Sequence, residues 1–203
     1  MVRDCHRRDG APRWLFSIGR DRKPAGTQRD LYAHAFVLLA IGFYVGATGD
    51  RGPLALTDET LAWLDRDMQA AHGGYVDAIP PIGAMRLQNP HIHMFEALLN
   101  LWTHAREARY LERAGEMFGL FAERFFQADP GVLTEYFDDR LMPVSGVAGR
   151  IVEPGHHFEW IWLLRWDERE SGTGVGSHAD GLYSHADRYG SDRAGLIVDE
   201  LTK

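Results

Sequence analysis

Six stretches of the chain space their apolar residues at the 3.6-residue period of a helix, and three of these are apolar nearly all round. The first begins after Asp30. Leu31, Ala35, Leu38, Leu39 and Gly42 form one stripe, and Tyr32, Phe36 and Phe43 an adjacent one. The pattern predicts a helix buried on two sides, capped by Asp30 and stopped at Thr48-Gly49-Asp50. Further helices are predicted from about Thr57 to Ala71, with Leu61, Leu64 and Met68 on one face, and from about Pro90 to Ala105. A fourth runs from about Arg109 to Phe126, on the stripe Ala114, Met117, Phe118, Phe121 and Phe125. The last two span about Pro154 to Arg169 and His178 to Tyr189. Asp129-Pro130-Gly131 reads as a turn, and Val132 to Phe137 as a short strand or hairpin arm. Residues 1–29 are polar and irregular, apart from the cluster Trp14, Leu15, Phe16 and Ile18, a candidate short strand. Val198-Asp199-Glu200 begins a further element.

The helix starts have a rhythm. The three nearly all-apolar helices begin at Asp30, Pro90 and Pro154, about sixty residues apart, and amphipathic helices lie between them. Inner and outer helices therefore alternate as hairpins, each needing a neighbour to cover its apolar face. The fold class this implies is all-α: an α/α toroid, with residues 1–203 as one partial domain of about three hairpins, roughly half of a six-hairpin ring. An open half-ring leaves apolar edges, so self-association through them is expected. The pentapeptide Leu-Tyr-x-His-Ala at 31–35 and 182–186 is too short to mark a repeat.

Charge narrows the partners. The formal net charge is −7, and the basic residues are interleaved with acids, so neither nucleic acid nor an anionic membrane is expected. The short Arg-rich start (Arg3, Arg7, Arg8) reads as a disordered end rather than a binding arm. Cys5 is the single cysteine, which excludes an intrachain disulfide and a Cys-based zinc site. The first residues lack the apolar core of a signal peptide, and no apolar run is expected to reach the ~18–20 residues of a membrane span. The expected location is the cytoplasm.

Two short segments carry the candidate chemistry. One reads Asn89-Pro90-His91-Ile92-His93-Met94-Phe95-Glu96, the other Glu153-Pro154-Gly155-His156-His157-Phe158-Glu159-Trp160. In each, a proline can occupy the first helical turn, and a His precedes a Glu by three residues. Three residues are about 300° of helix, so His93 shares a face with Glu96, and His156 with Glu159. Two such faces at two helix starts suggest one polar site. A metal would need His91 and His93, or His156 and His157, to converge. Residues two apart point about 200° away from each other and adjacent ones about 100°, so no metal site is expected from these pairs. Taken alone, His34 and His185 read as structural histidines. The glycines at 172, 174 and 176 follow no strand and read as a turn rather than a phosphate loop. Trp102, Trp160, Trp162 and Trp166 read mainly as core, with Trp160 also a candidate pocket wall.

Three ordered segments resemble inner-helix signatures of the N-acylglucosamine 2-epimerase superfamily, which includes mannose isomerases, cellobiose 2-epimerases and sulfoquinovose isomerase. They are Asp30 to Ala40, Gln88 to Ala97 and Glu153 to Trp160, and Leu182 to Glu200 also resembles the stretch that follows in the family. The resemblance implies an (α/α)6 barrel with a sugar site at the mouth of its inner helices. It implies cofactor-free proton transfer at C2 of an open-chain aldose of mannose or N-acylglucosamine type. On this resemblance His156 is a catalytic histidine, Glu159 the carboxylate supporting it, and His93 and Asn89 contact the sugar and assist ring opening. Tyr32 is a further candidate sugar contact, and Glu96 is either a sugar ligand or a buried partner of His93. Imidazole suits the task, because abstracting a proton next to a carbonyl needs a base that titrates near neutral pH. Loops Tyr75–Arg86 and Asp138–Arg150 would set specificity. Family members are about twice this length, and their second catalytic histidine falls beyond Lys203. The alternative is therefore a catalytically inactive half-barrel, a gene fragment or a scaffold.

Overall fold

The computed structural model describes residues 13–202. Cys5, Arg3, Arg7 and Arg8 lie outside the described residues. Three helical hairpins follow one another. They are α1 (Leu31–Thr48) with α2 (Leu54–Trp63), α3 (Asn89–Ala105) with α4 (Ala108–Leu120), and α5 (Pro154–Ser171) with α6 (Gly176–Tyr189). The odd helices form the inner layer, in the order α1, α3, α5. The outer helices α2 and α4 each run on into a π turn, Leu64–Met68 and Phe121–Phe125, whose end residues Met68 and Phe125 are buried.

The helix ends follow the local chemistry. Asp30 accepts a hydrogen bond from Ala33 N–H at 2.8 Å and satisfies one of the free donors of the first turn of α1. Gly49, at φ 70°, ends α1 in the left-handed conformation that glycine adopts without steric cost. Pro90 and Pro154 occupy the first turns of α3 and α5.

α1 and α3 make the most extensive contact in the molecule. Two glycines allow it: a Cβ at Gly42 would lie 2.0 Å from Asn100 Oδ1, and one at Gly46 2.3 Å from His104 Nδ1. The stripe Leu31, Ala35, Leu38, Ile41 and Val45 is buried in this contact. Burial on two sides is not what is found. Phe36, Phe43 and Tyr44 are exposed, because no described segment covers that face. The length expectation also needs correction, since α1 is long and apolar enough to cross a membrane. Its buried stripe against α3 makes it a core helix of this fold.

Two-residue strands join the hairpins at one end, in a repeating scheme. Each strand that leads into an inner helix pairs antiparallel with a strand from the next interhairpin segment. Thus β1 (Arg29–Asp30) pairs with β2 (Ala78–Ile79), and β3 (Arg86–Leu87) with β6 (Tyr136–Phe137). β7 (Ile151–Val152) pairs with β8 (Leu201–Thr202), the element that Val198-Asp199-Glu200 leads into. A hairpin of β4 (Phe126–Gln127) and β5 (Val132–Leu133) follows α4. The Trp14–Ile18 cluster forms no strand beyond an isolated bridge from Ile18 to Pro24. Trp14 and Leu15 are buried and Phe16 is exposed, so packing rather than pairing holds it.

Each inner helix also carries one buried histidine in its first turn that ties down an upstream loop. His34 Nε2 accepts from Trp14 N–H at 3.0 Å, His91 Nε2 from Tyr75 N–H at 3.1 Å, and His157 Nε2 from Leu133 N–H at 3.2 Å. Their Nδ1–H groups donate to Asp30 O, Leu87 O and Leu182 O. Burial disfavours the imidazolium and lowers their pKa values, to about 4, about 3 and about 4 respectively.

Candidate active site

At the N-terminal ends of the inner helices, two groups of His and Glu side chains meet. In the first, His93 Nδ1 lies 3.2 Å from Glu96 Oε2 and 3.5 Å from Glu159 Oε1. The i,i+3 pairing of His93 with Glu96 is the one the sequence predicts. The rings of Tyr32 and Phe36, from α1, each pack at 4.8 Å between centroids against the His93 imidazole. Tyr32, His93 and Glu159 thus bring all three inner helices to one place.

The second group surrounds His156. Its Nδ1 lies 3.0 Å from Glu135 Oε2, 3.3 Å from Glu153 Oε2 and 3.0 Å from Gln88 Nε2. This corrects the expected support of His156 by Glu159. Glu159 makes no hydrogen bond to His156 and turns instead toward His93. The physical reason is that sharing a helix face fixes only direction, and a better acceptor reaches Nδ1 from another part of the chain. Glu135 lies on the turn between β5 and β6, with a side chain only 4% exposed. Its backbone is anchored by Glu135 N–H to Ile151 O at 3.1 Å.

The sequence reading missed Glu135, and it quoted Gln88 without a role. A signal was present. Glu135 stands in the largely apolar run 132–137, where every residue but Tyr136 is buried, so the acid is carried into the interior with its neighbours. Buried carboxylates need partners, and this one takes Gln88 Nε2–H at 2.8 Å as well as the imidazole. Gln88 is itself oriented by Trp160, whose Nε1–H donates to Gln88 Oε1 at 2.8 Å. Trp160 is fully buried, stacked on Phe121 at 4.3 Å and near Phe95 at 5.6 Å, so it is core rather than pocket wall.

Electrostatics follow from this geometry. Burial opposes a charge on His156, but the hydrogen bond to Glu135 and the charges of Glu135, Glu153 and Glu159 outweigh it and raise its pKa. Burial raises the Glu159 carboxyl. The neighbouring His93 and His156 pull it back and Glu96 pushes it further up, leaving it above the usual range. Glu159 therefore interacts with both imidazoles.

Beside these groups lies a cavity of about 670 Å³, bounded by Tyr32 and Asn89 on the helix side and by Asp77, Met85 and Asp139 from the loops. Both loops singled out for specificity reach it. Asn89 Oδ1 is buried with no protein partner, and burial pushes the Asp77 carboxyl up to about 6.

The histidine pairs weighed for metal binding diverge as their helical spacing requires. His91 and His157 point into the core, away from His93 and His156. Tertiary structure creates two other donor sets. His93 with Glu96 and Glu159, and His156 with Glu135 and Glu153, each bring donor atoms within 4.8 Å. In both sets the imidazole Nδ1 is shared with carboxylate oxygens in ion-pair contacts.

Comparison with known proteins places the chain and its fold in one family. Residues 3–199 match the family described as N-acylglucosamine 2-epimerase (GlcNAc 2-epimerase), and the chain belongs to that family. It is 37% identical over 161 residues to a mannose-6-phosphate isomerase of Rhizobium meliloti, covering 73% of this chain and 40% of that protein. It is 28% identical over 166 residues to a cellobiose 2-epimerase of Bacteroides fragilis, covering 73% of this chain and 41% of the relative. Among solved structures, that of a D-mannose isomerase superposes with a TM-score of 0.81 at 19% identity, over 97% of this chain and 54% of the other. The chain thus spans about two-fifths of the length of the curated relatives it matches. The fold is that of an incomplete (α/α)6 barrel.

Proposed function

We propose that this chain carries one wall of the active site of a sugar isomerase or 2-epimerase that moves a proton at C2 of an open-chain aldose of mannose or N-acylglucosamine type. The observation that carries the reading is the His156 environment. Among the described residues, all protein hydrogen bonds of its ring run through Nδ1, which leaves Nε2 for a substrate. A carbonyl at C1 acidifies the C2 hydrogen. His156 Nε2 takes that proton, and the electron pair moves into C1–C2 while the carbonyl oxygen becomes an enediolate oxygen. Return of a proton to the opposite face of C2, with the C1 carbonyl re-formed, gives the epimer; delivery to C1, with the O2 proton passed to O1 and a carbonyl formed at C2, gives the ketose. A base titrating near neutral pH suits both directions. In this reading His93, held by Glu96 and Glu159, and Asn89, which borders the cavity, bind sugar hydroxyls and assist ring opening.

The second reading is an inactive half-barrel. Incubation with mannose in D₂O separates the two. Deuterium appearing at C1 or C2 of the products, lost in His156→Ala and unaffected by a chelator, supports the isomerase. Activity lost to a chelator and restored by a divalent ion overturns the histidine mechanism, and no exchange from a form with the barrel completed supports the half-barrel.

A further inference from the structure

We infer that Glu135, locked in place by Gln88 and Trp160, is the positioning residue that sets the tautomer of His156 and so makes Nε2 its reactive atom. The inference rests on the isomerase reading for its consequence, but not for its geometry.

The chain of hydrogen bonds has one direction. Trp160 Nε1 is only a donor, and its ring is fixed in the core between Phe121 and Phe95. It therefore defines which end of the Gln88 amide is oxygen. The amide nitrogen then faces Glu135 Oε2 at 2.8 Å and His156 Nδ1 at 3.0 Å. The third side of this triangle, Nδ1 to Oε2, is also 3.0 Å.

Two tautomers of the neutral ring are conceivable. With the proton on Nε2, the Nδ1 lone pair accepts from Gln88 but faces the carboxylate oxygen at contact distance, lone pair against negative charge. With the proton on Nδ1, the ring donates to Glu135, Gln88 donates to the same oxygen, and no lone pairs oppose. A buried carboxylate makes this difference large, because a charge-assisted bond in a low-dielectric site is stronger than a neutral one. Nε2 is then a lone pair, which a base requires. When it takes a proton, the cation is held against Glu135.

The other acids facing the ring do not perform this task. Glu153 reaches Nδ1 at 3.3 Å from the N-cap position just before α5, but its side chain is 37% exposed and screened. Glu159, also on α5, acts on His156 through charge alone and contacts His93, which Glu96 shares. Glu135 comes from a separate, strand-anchored segment, so it fixes the ring as well as its charge.

The test is long-range proton–nitrogen correlation on the ¹⁵N-labelled 203-residue chain, with the His156 ring assigned by loss of its signals in His156→Ala. Above its titration midpoint, wild-type His156 should show a protonated Nδ1 and a lone-pair Nε2. Glu135→Gln, isosteric but able to donate, should shift the ring toward the Nε2–H form. Glu135→Asp should keep the wild-type tautomer, and Glu159→Gln should leave it unchanged. Where the protein turns over sugar, Glu135→Gln should lower kcat by about 10²-fold with KM nearly constant, and Glu135→Asp should recover part of it. An Nε2–H ring in the wild type, or an unchanged tautomer in Glu135→Gln, overturns the inference. A correct tautomer in a form with the barrel completed that still shows no turnover counts against the isomerase reading alone.

Discussion

His156 and His157 are neighbours in sequence and opposites in surroundings, and His93 and His91 repeat the contrast one hairpin earlier. One histidine of each couple turns inward, gives both ring nitrogens to backbone groups and is held neutral by burial. The other turns toward the mouth, gives only Nδ1 to carboxylates and leaves Nε2 open. The first hairpin shows the same division with a change of residue: His34 is buried and Tyr32 faces the mouth. One helical turn thus supplies a peg that fixes a loop and a group that faces the mouth. His157 holds Leu133, two residues before Glu135, and Glu135 in turn holds His156.

The sharpest way to break this comparison is to exchange the fates of the couple. In a turnover-competent form, His156→Ala should cost about 10²–10⁴-fold or more in rate while leaving the denaturation midpoint nearly unchanged. His157→Ala should instead destabilise the chain by about 3 kcal/mol, from an unpaired Leu133 N–H and a cavity. Denaturant titration and steady-state kinetics on both variants check this, and equal effects on both would sink the division.

The pH dependence of stability should carry both classes with opposite sign. His34, His91 and His157 have lowered pKa values in the folded state, so the unfolded chain binds more protons below pH ~6.5. Their contribution is lost as pH falls from there toward about 4. His156 has a raised pKa, so its pairing stabilises below pH ~6.5 and is lost as pH rises through the raised value. Urea midpoints across this range should fall on the acid side in the wild type. The fall should be shallower in His157→Gln, which retains a neutral amide.

Smaller effects distinguish the two mouth groups. His93→Ala should raise KM, or slow ring opening, by about 10-fold while changing isotope exchange at C2 less than His156→Ala does. Comparing exchange on the cyclic sugar with that on an open-chain analogue checks it. Smaller still is the effect on association. Replacing the exposed Phe43 and Tyr44 of α1 by Ser should reduce apolar dye binding and shift sedimentation toward the monomer. A wild-type chain that is already a clean monomer without dye binding would remove the premise.

Much of this molecule was legible along the chain. Periodicity located six helices, the prolines and glycines marked several of their ends, and the sixty-residue rhythm gave alternating inner and outer layers, because these signals are local or depend on a repeated period. The His93–Glu96 pair was legible for the same reason, being a matter of helix geometry. Other features came from contacts between distant segments. Which histidine of each couple faces the mouth depends on which loop passes over the helix and offers an N–H. The acid that serves His156 is Glu135, 21 residues away, rather than the acid three residues along. Gln88 reaches the same ring across 68 residues and is itself oriented by Trp160 across 72. The sequence alone determined the helices, their layering and the residue types at the mouth. Only tertiary structure decided which of those residues are pegs, which face the mouth and which carboxylate holds His156, because those choices depend on the partners that distant segments bring within hydrogen-bonding reach.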